Sequence, residues 1–397
     1  MTHSRGYLAY ALGLNYAAMM SLAIVINFLP VFLTTLGAEL GGEAGLTKEE
    51  LGRIGMVTFA GLVLGILVSG PLADRLGAKA FAVTGNLLIG GGLALLGVAP
   101  NYAAVLVAVF IMGLGAGVLD MILSPIVAAL QPDRRASAMN WLHSFYCVGA
   151  VATILAGAIA LRTGMAWRTL ALALIAMPAL VAAGFMTLRI PPLVQEGQER
   201  MRLRRLVREK YFLVALVAIF LAGATEIGLA YWLPAYAEKG LGYSKWIADC
   251  GFLGFSLAMV AGRMVAGHLG HRVSPISMML GCCWVLVVLF VAACFAPWPA
   301  LALGACVAAG LAGSCLWPSM LAVAADRFPH GGASMFGLLA ACGNFGCTFM
   351  PWVIGVAADH SAINWGLSTA TLCPLGLALL LVWMRRQASA AVVLSPR

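Results

Sequence analysis

The chain restates itself after 197 positions. Gly70 falls on Gly267, Leu72 on Leu269 and Arg75 on Arg272, in short charged stretches set between long apolar runs. The same shift places Gly113-Leu114 on Gly310-Leu311, Ala136-Ser137 on Ala333-Ser334, and Gly149 on Gly346. A chain of 397 residues that repeats at half its length holds two related units, each with its own apolar segments. Such duplication is characteristic of membrane bundles whose working site lies at the repeat interface.

Composition agrees with that reading. The chain is 62% hydrophobic and 10% charged, with a mean hydropathy of +0.97. A soluble domain carries roughly 25% charged residues, so most of this surface is expected to face lipid. The 46 glycines and 17 prolines fit the same setting, because transmembrane helices use small residues for close approach and tolerate proline. Nine of the ten cysteines lie between Cys250 and Cys373, none in a CxxC pair. They read as small apolar packing residues, with no metal, disulfide or cofactor implied. The first apolar segment is too long for the core of a secretory signal, so it reads as a helix of the mature protein.

Runs of about 20 apolar residues suit a bilayer-spanning helix. Twelve are expected, at 7–36, 51–69, 80–98, 102–131, 136–161, 166–189, 210–238, 245–266, 276–296, 299–326, 332–358 and 364–385. The fold class is therefore all-α, two pseudo-symmetric six-helix bundles. Residues 1–190 form the first bundle, 191–209 a basic linker holding Arg200, Arg202, Arg204, Arg205 and Arg208, 210–386 the second bundle, and 387–397 a tail. With the N-terminus in the cytoplasm, all but Lys48, Arg53, Arg162, Arg168, Lys239 and Lys245 of the 24 basic residues fall on the cytoplasmic side or its helix ends. The positive-inside bias thus places both termini and the linker inside. The formal charge of +9 follows from topology and implies no nucleic-acid partner.

The stretch Gly70-Pro-Leu72-Ala-Asp74-Arg75-Leu-Gly77-Ala-Lys79 reads as a charged loop between the second and third spans. It resembles the signature of the major facilitator superfamily at that place, with Gly70, Leu72, Asp74, Arg75, Gly77 and Lys79 matching. With the twelve runs and the central linker, the resemblance covers nearly the whole chain. It implies a secondary transporter working by alternating access, with this loop as a conformational latch. Finer features resemble the fucose/glucose/galactose–proton symporter group: Gly113-Leu-Gly115-Ala-Gly117-Val-Leu-Asp120 with Ser124-Pro125, Asn140-Trp-Leu-His143, Thr225-Glu226 before Trp232-Leu-Pro234, and Trp317-Pro318. The first span carries Asn27-Phe-Leu-Pro30 without the acid that fucose symporters place before this proline. The fifth has Ile154-Leu-Ala-Gly157 where drug antiporters carry Gly-Pro.

Asp120, His143 and Glu226 read as the ionisable groups well inside the spans. A charge at bilayer depth costs at least about 2.5–3.5 kcal/mol, so these side chains are expected to face a cavity or each other. Asp120 and His143 lie at similar distances from the turn near Asp133, on consecutive antiparallel helices. They are expected to form a proton-coupling pair, with Glu226 as a further coupling or substrate-binding group. Asn27, Ser124, Asn140, Tyr231, Trp232, Trp317 and Asn344 supply amides, a hydroxyl and flat rings. Such a set suits a sugar, which offers hydroxyls on its rim and C–H groups on its face.

The sequence reading is thus a monomeric inner-membrane transporter of a small polar solute, expected to be a sugar, moved with a proton. The competing readings are proton-driven efflux of a drug-like molecule and a transport-inactive membrane sensor or scaffold. No nucleotide loop, catalytic triad or metal cluster is read from the sequence, so no enzymatic activity is expected.

Overall fold

Without water in the bilayer core, every backbone N–H and C=O must be satisfied inside the chain, and apolar runs of this length do so as helices. The computed structural model describes residues 5–131, 135–188, 190, 203–269, 273–328 and 332–393. Among them, twelve helical segments are long and apolar enough to cross a membrane, from Gly6–Leu40 to Ile363–Gln387. The chain divides into two compact units. One is Met1–Thr47 with Arg53–Gln198; the other is Lys48–Gly52 with Glu199–Arg397.

The first unit contains α1 (Arg5–Leu40), α2 (Lys48–Leu76) from Arg53 onward, α3 (Ala78–Gly97), α4 (Tyr102–Leu130), α5 (Arg135–Arg162), α6 (Trp167–Leu174) and α7 (Ala176–Thr187). The second contains α8 (Leu203–Leu206), α9 (Lys210–Ala235), α10 (Lys245–Leu269), α11 (Pro275–Phe295), α12 (Pro299–Gly313), α13 (Leu316–Arg327), α14 (Gly332–Asp359), α15 (Ile363–Ser368) and α16 (Leu372–Val393). A π-turn, Tyr236–Gly240, continues α9. In the linker, the described residues 203–209 hold the single turn α8, with Leu206 buried and Arg204 and Arg205 exposed.

Three expected single spans are interrupted, each four residues before a proline. Pro178 cannot donate to the Leu174 carbonyl, where α6 ends. Pro318 stands in the same relation to Ser314, between α12 and α13, and Pro374 to Ala370, between α15 and α16. A missing N–H at this spacing removes one rung of the helical ladder.

Glycines set how closely the helices approach. A Cβ on Gly113 of α4 would lie 1.9 Å from the Thr58 carbonyl oxygen of α2, and one on Gly117 1.9 Å from that of Leu62. From the other side, a Cβ on Gly65 would lie 2.4 Å from the Leu114 oxygen. These helices therefore touch backbone to backbone, the small-xxx-small packing of membrane helices. The second unit repeats the contact at the 197-residue shift. A Cβ on Gly310 would meet the Phe255 oxygen at 2.5 Å, and one on Gly262 the Leu311 oxygen at 2.4 Å. The sequence repeat is thus a repeat of packing.

Lys48–Gly52, the first turn of α2, docks within the second unit. Asp359 at the end of α14 accepts from the Lys48 and Glu49 backbone N–H groups at 2.9 and 2.7 Å. It thereby caps donors that an isolated helix start leaves open. The Lys48 ammonium donates to the Ala358 oxygen at 2.7 Å, and the Trp352 indole donates to Glu49 at 2.5 Å.

Candidate functional site

In the first unit, Asp120 sits half-buried on α4 and makes no hydrogen bond or ion pair among the described residues. Ser124, one turn further, is also half-buried. His143 lies on an exposed face of α5 beside Trp141 and Ser144. No hydrogen bond or ion pair joins Asp120 to His143 among the described residues. The reason lies in the packing. α5 rests chiefly on α1 rather than on α4, its neighbour in sequence. Gly149 lies against Met20 and Ala23, and Tyr16 stacks on Phe145 with ring centroids 4.5 Å apart. Asn140 is on α5, with its side chain outside the described set. Asn27 is buried on α1, where its amide donates to the Ala23 carbonyl at 2.9 Å.

In the second unit, Glu226 on α9 meets a partner that the sequence reading had placed at a helix end. The Arg263 Nη2 lies 3.4 Å from the Glu226 Oε1, and Arg263 stands within the span Lys245–Gly267. Glu226 borders a narrow cavity between α9, α10, α11 and α12. Its wall includes Thr225, Leu229, Phe255, Met259 and Phe290. Asp249 is a second ionisable group missed inside this span. It is fully buried and lies 3.6 Å from Lys245, which in turn stands 3.5 Å from Glu238. The sequence did carry a signal for Arg263. It follows Gly262, whose repeat mate is Gly65, and its own mate is Ile66, so a charge replaces an apolar residue.

The expected ring platform is put to other use. Trp232 is 1% exposed, and its indole donates to the Pro351 carbonyl at 2.9 Å. Tyr231, also buried, donates to the Leu51 carbonyl at 2.6 Å and so helps hold the docked turn of α2. Trp317 is half-buried against Gly343, where an added Cβ would come 2.3 Å from the ring. Asn344, the next residue, turns its amide back to the Ala340 carbonyl at 3.0 Å. The structure thus brings Trp317 and Asn344 to adjoining positions of α13 and α14. It commits the Tyr231 hydroxyl, the Trp232 indole and one N–H of the Asn344 amide to backbone oxygens.

The motif at Gly70–Lys79 is two helix ends rather than a loop. α2 runs through Gly70, Asp74 and Arg75 to Leu76, and α3 begins at Ala78. Only Gly77 separates them, at φ +84°, a backbone conformation that favours glycine. The side chains of Asp74 and Arg75 are outside the described set. Lys79 donates to the Met186 carbonyl at 2.6 Å, placing a cation at the C-terminal end of α7, where the helix dipole favours one.

The sequence profile of the Major Facilitator Superfamily matches residues 12–254 and 250–397. The chain belongs to the Major Facilitator Superfamily. Among curated proteins, it is 27% identical to a gentisate transporter of Corynebacterium glutamicum over 61% of this chain and 57% of that one. It is 28% identical to a cis,cis-muconate transport protein of Acinetobacter baylyi over 62% of this chain and 66% of that one. The matched region spans less than two thirds of each relative. The structure is similar to that of the E. coli fucose–proton symporter, with a TM-score of 0.68 and 19% identity over 95% of this chain and 99% of that one. At that identity the likeness is one of fold. The superfamily fold expected from the sequence is therefore established, with twelve candidate membrane spans among the described residues.

Proposed function

We propose that this transporter moves a small organic carboxylate together with protons by alternating access. The observation that carries the reading is Arg263, a cation within the span Lys245–Gly267 whose counter-charge, Glu226, lines a narrow cavity. A positive charge so placed is costly unless it serves an anion. Leu229, Phe255, Met259 and Phe290 give Glu226 an apolar setting. Relatives named for gentisate and muconate, both carboxylates, support the same class. Support for a hexose is weaker, because the Trp232 and Tyr231 donors it would use are engaged by backbone carbonyls.

In this reading Asp120 and Glu226 carry the protons, one in each unit. Ser124, Asn140, His143 and Trp317 serve the solute path, and Gly70, Asp74, Arg75, Gly77 and Lys79 form the conformational latch. The protein works as a monomer in the bacterial inner membrane, with both termini and the linker in the cytoplasm.

The test is uptake into liposomes under an imposed pH gradient, with labelled gentisate, a hexose and a lipophilic cation as alternative solutes. Saturable, gradient-driven gentisate uptake is expected. Movement of the hexose alone would restore the sugar reading, and expulsion of the cation alone would assign efflux. No movement of any solute by folded protein would favour a sensor.

A further inference from the structure

We infer that Cys282 and Cys315 are a redox-active dithiol, which a hydroperoxide in the lipid oxidises to an intramolecular disulfide that ties α11 to the break between α12 and α13. The inference is independent of which solute the protein carries.

Packing brings the two together across 33 positions of chain. The Cys315 thiol donates to the Cys282 sulfur, with 3.4 Å between the sulfurs. A disulfide holds its sulfurs at about 2.0 Å, so closure takes a movement of about 1.4 Å. Cys315 is placed to make it. It stands between Gly313, where α12 ends, and Leu316, where α13 begins. Pro318 withholds the N–H that would reach the Ser314 carbonyl, so the backbone here lacks one rung and can shift. The other contact of the Cys315 thiol, to the Ala312 carbonyl, is loose at 3.9 Å. The same segment also rests on α10, where a Cβ on Gly262 would come 2.3 Å from the Ser314 Oγ. A staple at Cys315 therefore fixes a point where three elements meet.

Exposure assigns the roles. A redox-sensing site sets an accessible thiol beside a resolving one. Cys282 is partly exposed, whereas Cys315 is 2% exposed. The face of α11 around Cys282 is open. Gly281 is exposed, with nothing within 4 Å of an added Cβ, and Trp284, Val285 and Val288 are exposed further along. Cys283, the next residue, is fully buried and offers no such access. Cys282 lies seven residues past Pro275 in this span, about 10 Å along the helix. An uncharged, lipid-soluble oxidant reaches that depth, while a charged one meets the cost of entering the bilayer.

The chemistry runs in two steps. The Cys282 sulfur attacks the outer oxygen of the hydroperoxide. An S–O bond forms, the O–O bond breaks, and the alkoxide leaves with the thiol proton as an alcohol. Cys282 is now a sulfenic acid. The Cys315 sulfur then attacks the Cys282 sulfur. The S–S bond forms, the S–O bond breaks, and hydroxide leaves with the Cys315 proton as water. Two thiols have given up two electrons, and the O–O bond has received them. A dithiol reductant reverses the bond by exchange.

Cumene hydroperoxide, which dissolves in lipid, is the probe. The full-length protein in phospholipid nanodiscs is treated with it, remaining thiols are alkylated, and linked peptides are identified by mass spectrometry. A Cys282–Cys315 cross-link is expected in wild type and in Cys283→Ser, and dithiothreitol should remove it. Cys315→Ser should stop at the sulfenic acid, trapped on Cys282 by dimedone. Amide exchange at residues 314–317 should slow several-fold in oxidised wild type and recover on reduction. Free Cys282 and Cys315 in treated wild type would overturn the inference, with no variant needed. So would a cross-link through Cys283 in place of Cys282, or one between two copies of the chain. Unchanged exchange at 314–317 in cross-linked protein would refute the tie to the break.

Discussion

Replacing Gly117 with alanine tests whether the backbone contact between α2 and α4 holds the first unit together. In an open helix the change stabilises, since glycine in a helix interior costs roughly 0.5–1 kcal/mol relative to alanine. Here the new Cβ would lie 1.9 Å from the Leu62 carbonyl oxygen and 2.8 Å from its carbon, where real contacts stay beyond 3.0 Å. The helices must part by about 1 Å, and overpacking of this kind costs roughly 1–3 kcal/mol. The two effects leave a net destabilisation of about 0.5–2 kcal/mol. Gly113→Ala, also at 1.9 Å, should behave alike, while Gly310→Ala, at 2.5 Å from the Phe255 oxygen, should lose less. Gly91 on α3 and Gly281 on α11 have nothing within 4 Å of an added Cβ, so their alanine variants should match or exceed wild type. The assay is thermal unfolding of purified protein in one detergent, read by intrinsic fluorescence and by loss of the monodisperse peak. If Gly117→Ala melts with Gly91→Ala at or above wild type, the close helix contact does not govern stability and the packing argument is wrong.

Asp120→Asn removes a titratable group without changing its shape. Gradient-driven accumulation is expected to fall at least about tenfold while solute exchange persists, and undiminished accumulation would make Asp120 structural. Asp359→Asn weakens a charged cap on the start of α2. Hydrogen exchange at the Lys48 and Glu49 amides should quicken several-fold, by the roughly 1 kcal/mol a cap contributes, and unchanged exchange there would show that the cap contributes nothing. Lys79→Gln should lower the melting temperature slightly through loss of the Met186 contact; no change would leave Lys79 a topology signal only. Cysteines introduced singly at linker positions should react with impermeant reagents only from the cytoplasmic face, and labelling from outside would overturn the orientation.

The number of spans, the two-unit plan and the family were legible in the sequence because each rests on local, additive signals. Apolar length specifies a helix wherever water is absent, and the 197-residue repeat pairs Gly113 with Gly310 whatever else the chain does. Prolines were visible too, but Pro178 and Pro318 follow helix breaks while Pro30, Pro125 and Pro351 lie inside unbroken helices, so only packing decides which proline interrupts. The Gly77 turn lay in the sequence too, but the charges around it suggested a loop where two helices nearly meet. What tertiary structure alone decided is which faces meet. Asp120 and His143 share a depth along consecutive helices, yet α5 packs on α1, because contact depends on rotation about the helix axis and on distant partners. Trp232 and Tyr231 looked like binding surfaces until their donors were seen bonded to Pro351 and Leu51, residues 119 and 180 positions away. Arg263 counted as one more positive charge near a membrane end. Its pairing with Glu226, 37 residues earlier, exists only once α9 and α10 lie side by side. Length and composition act through the solvent and can be summed along a chain, whereas a site forms from side chains that only packing brings together.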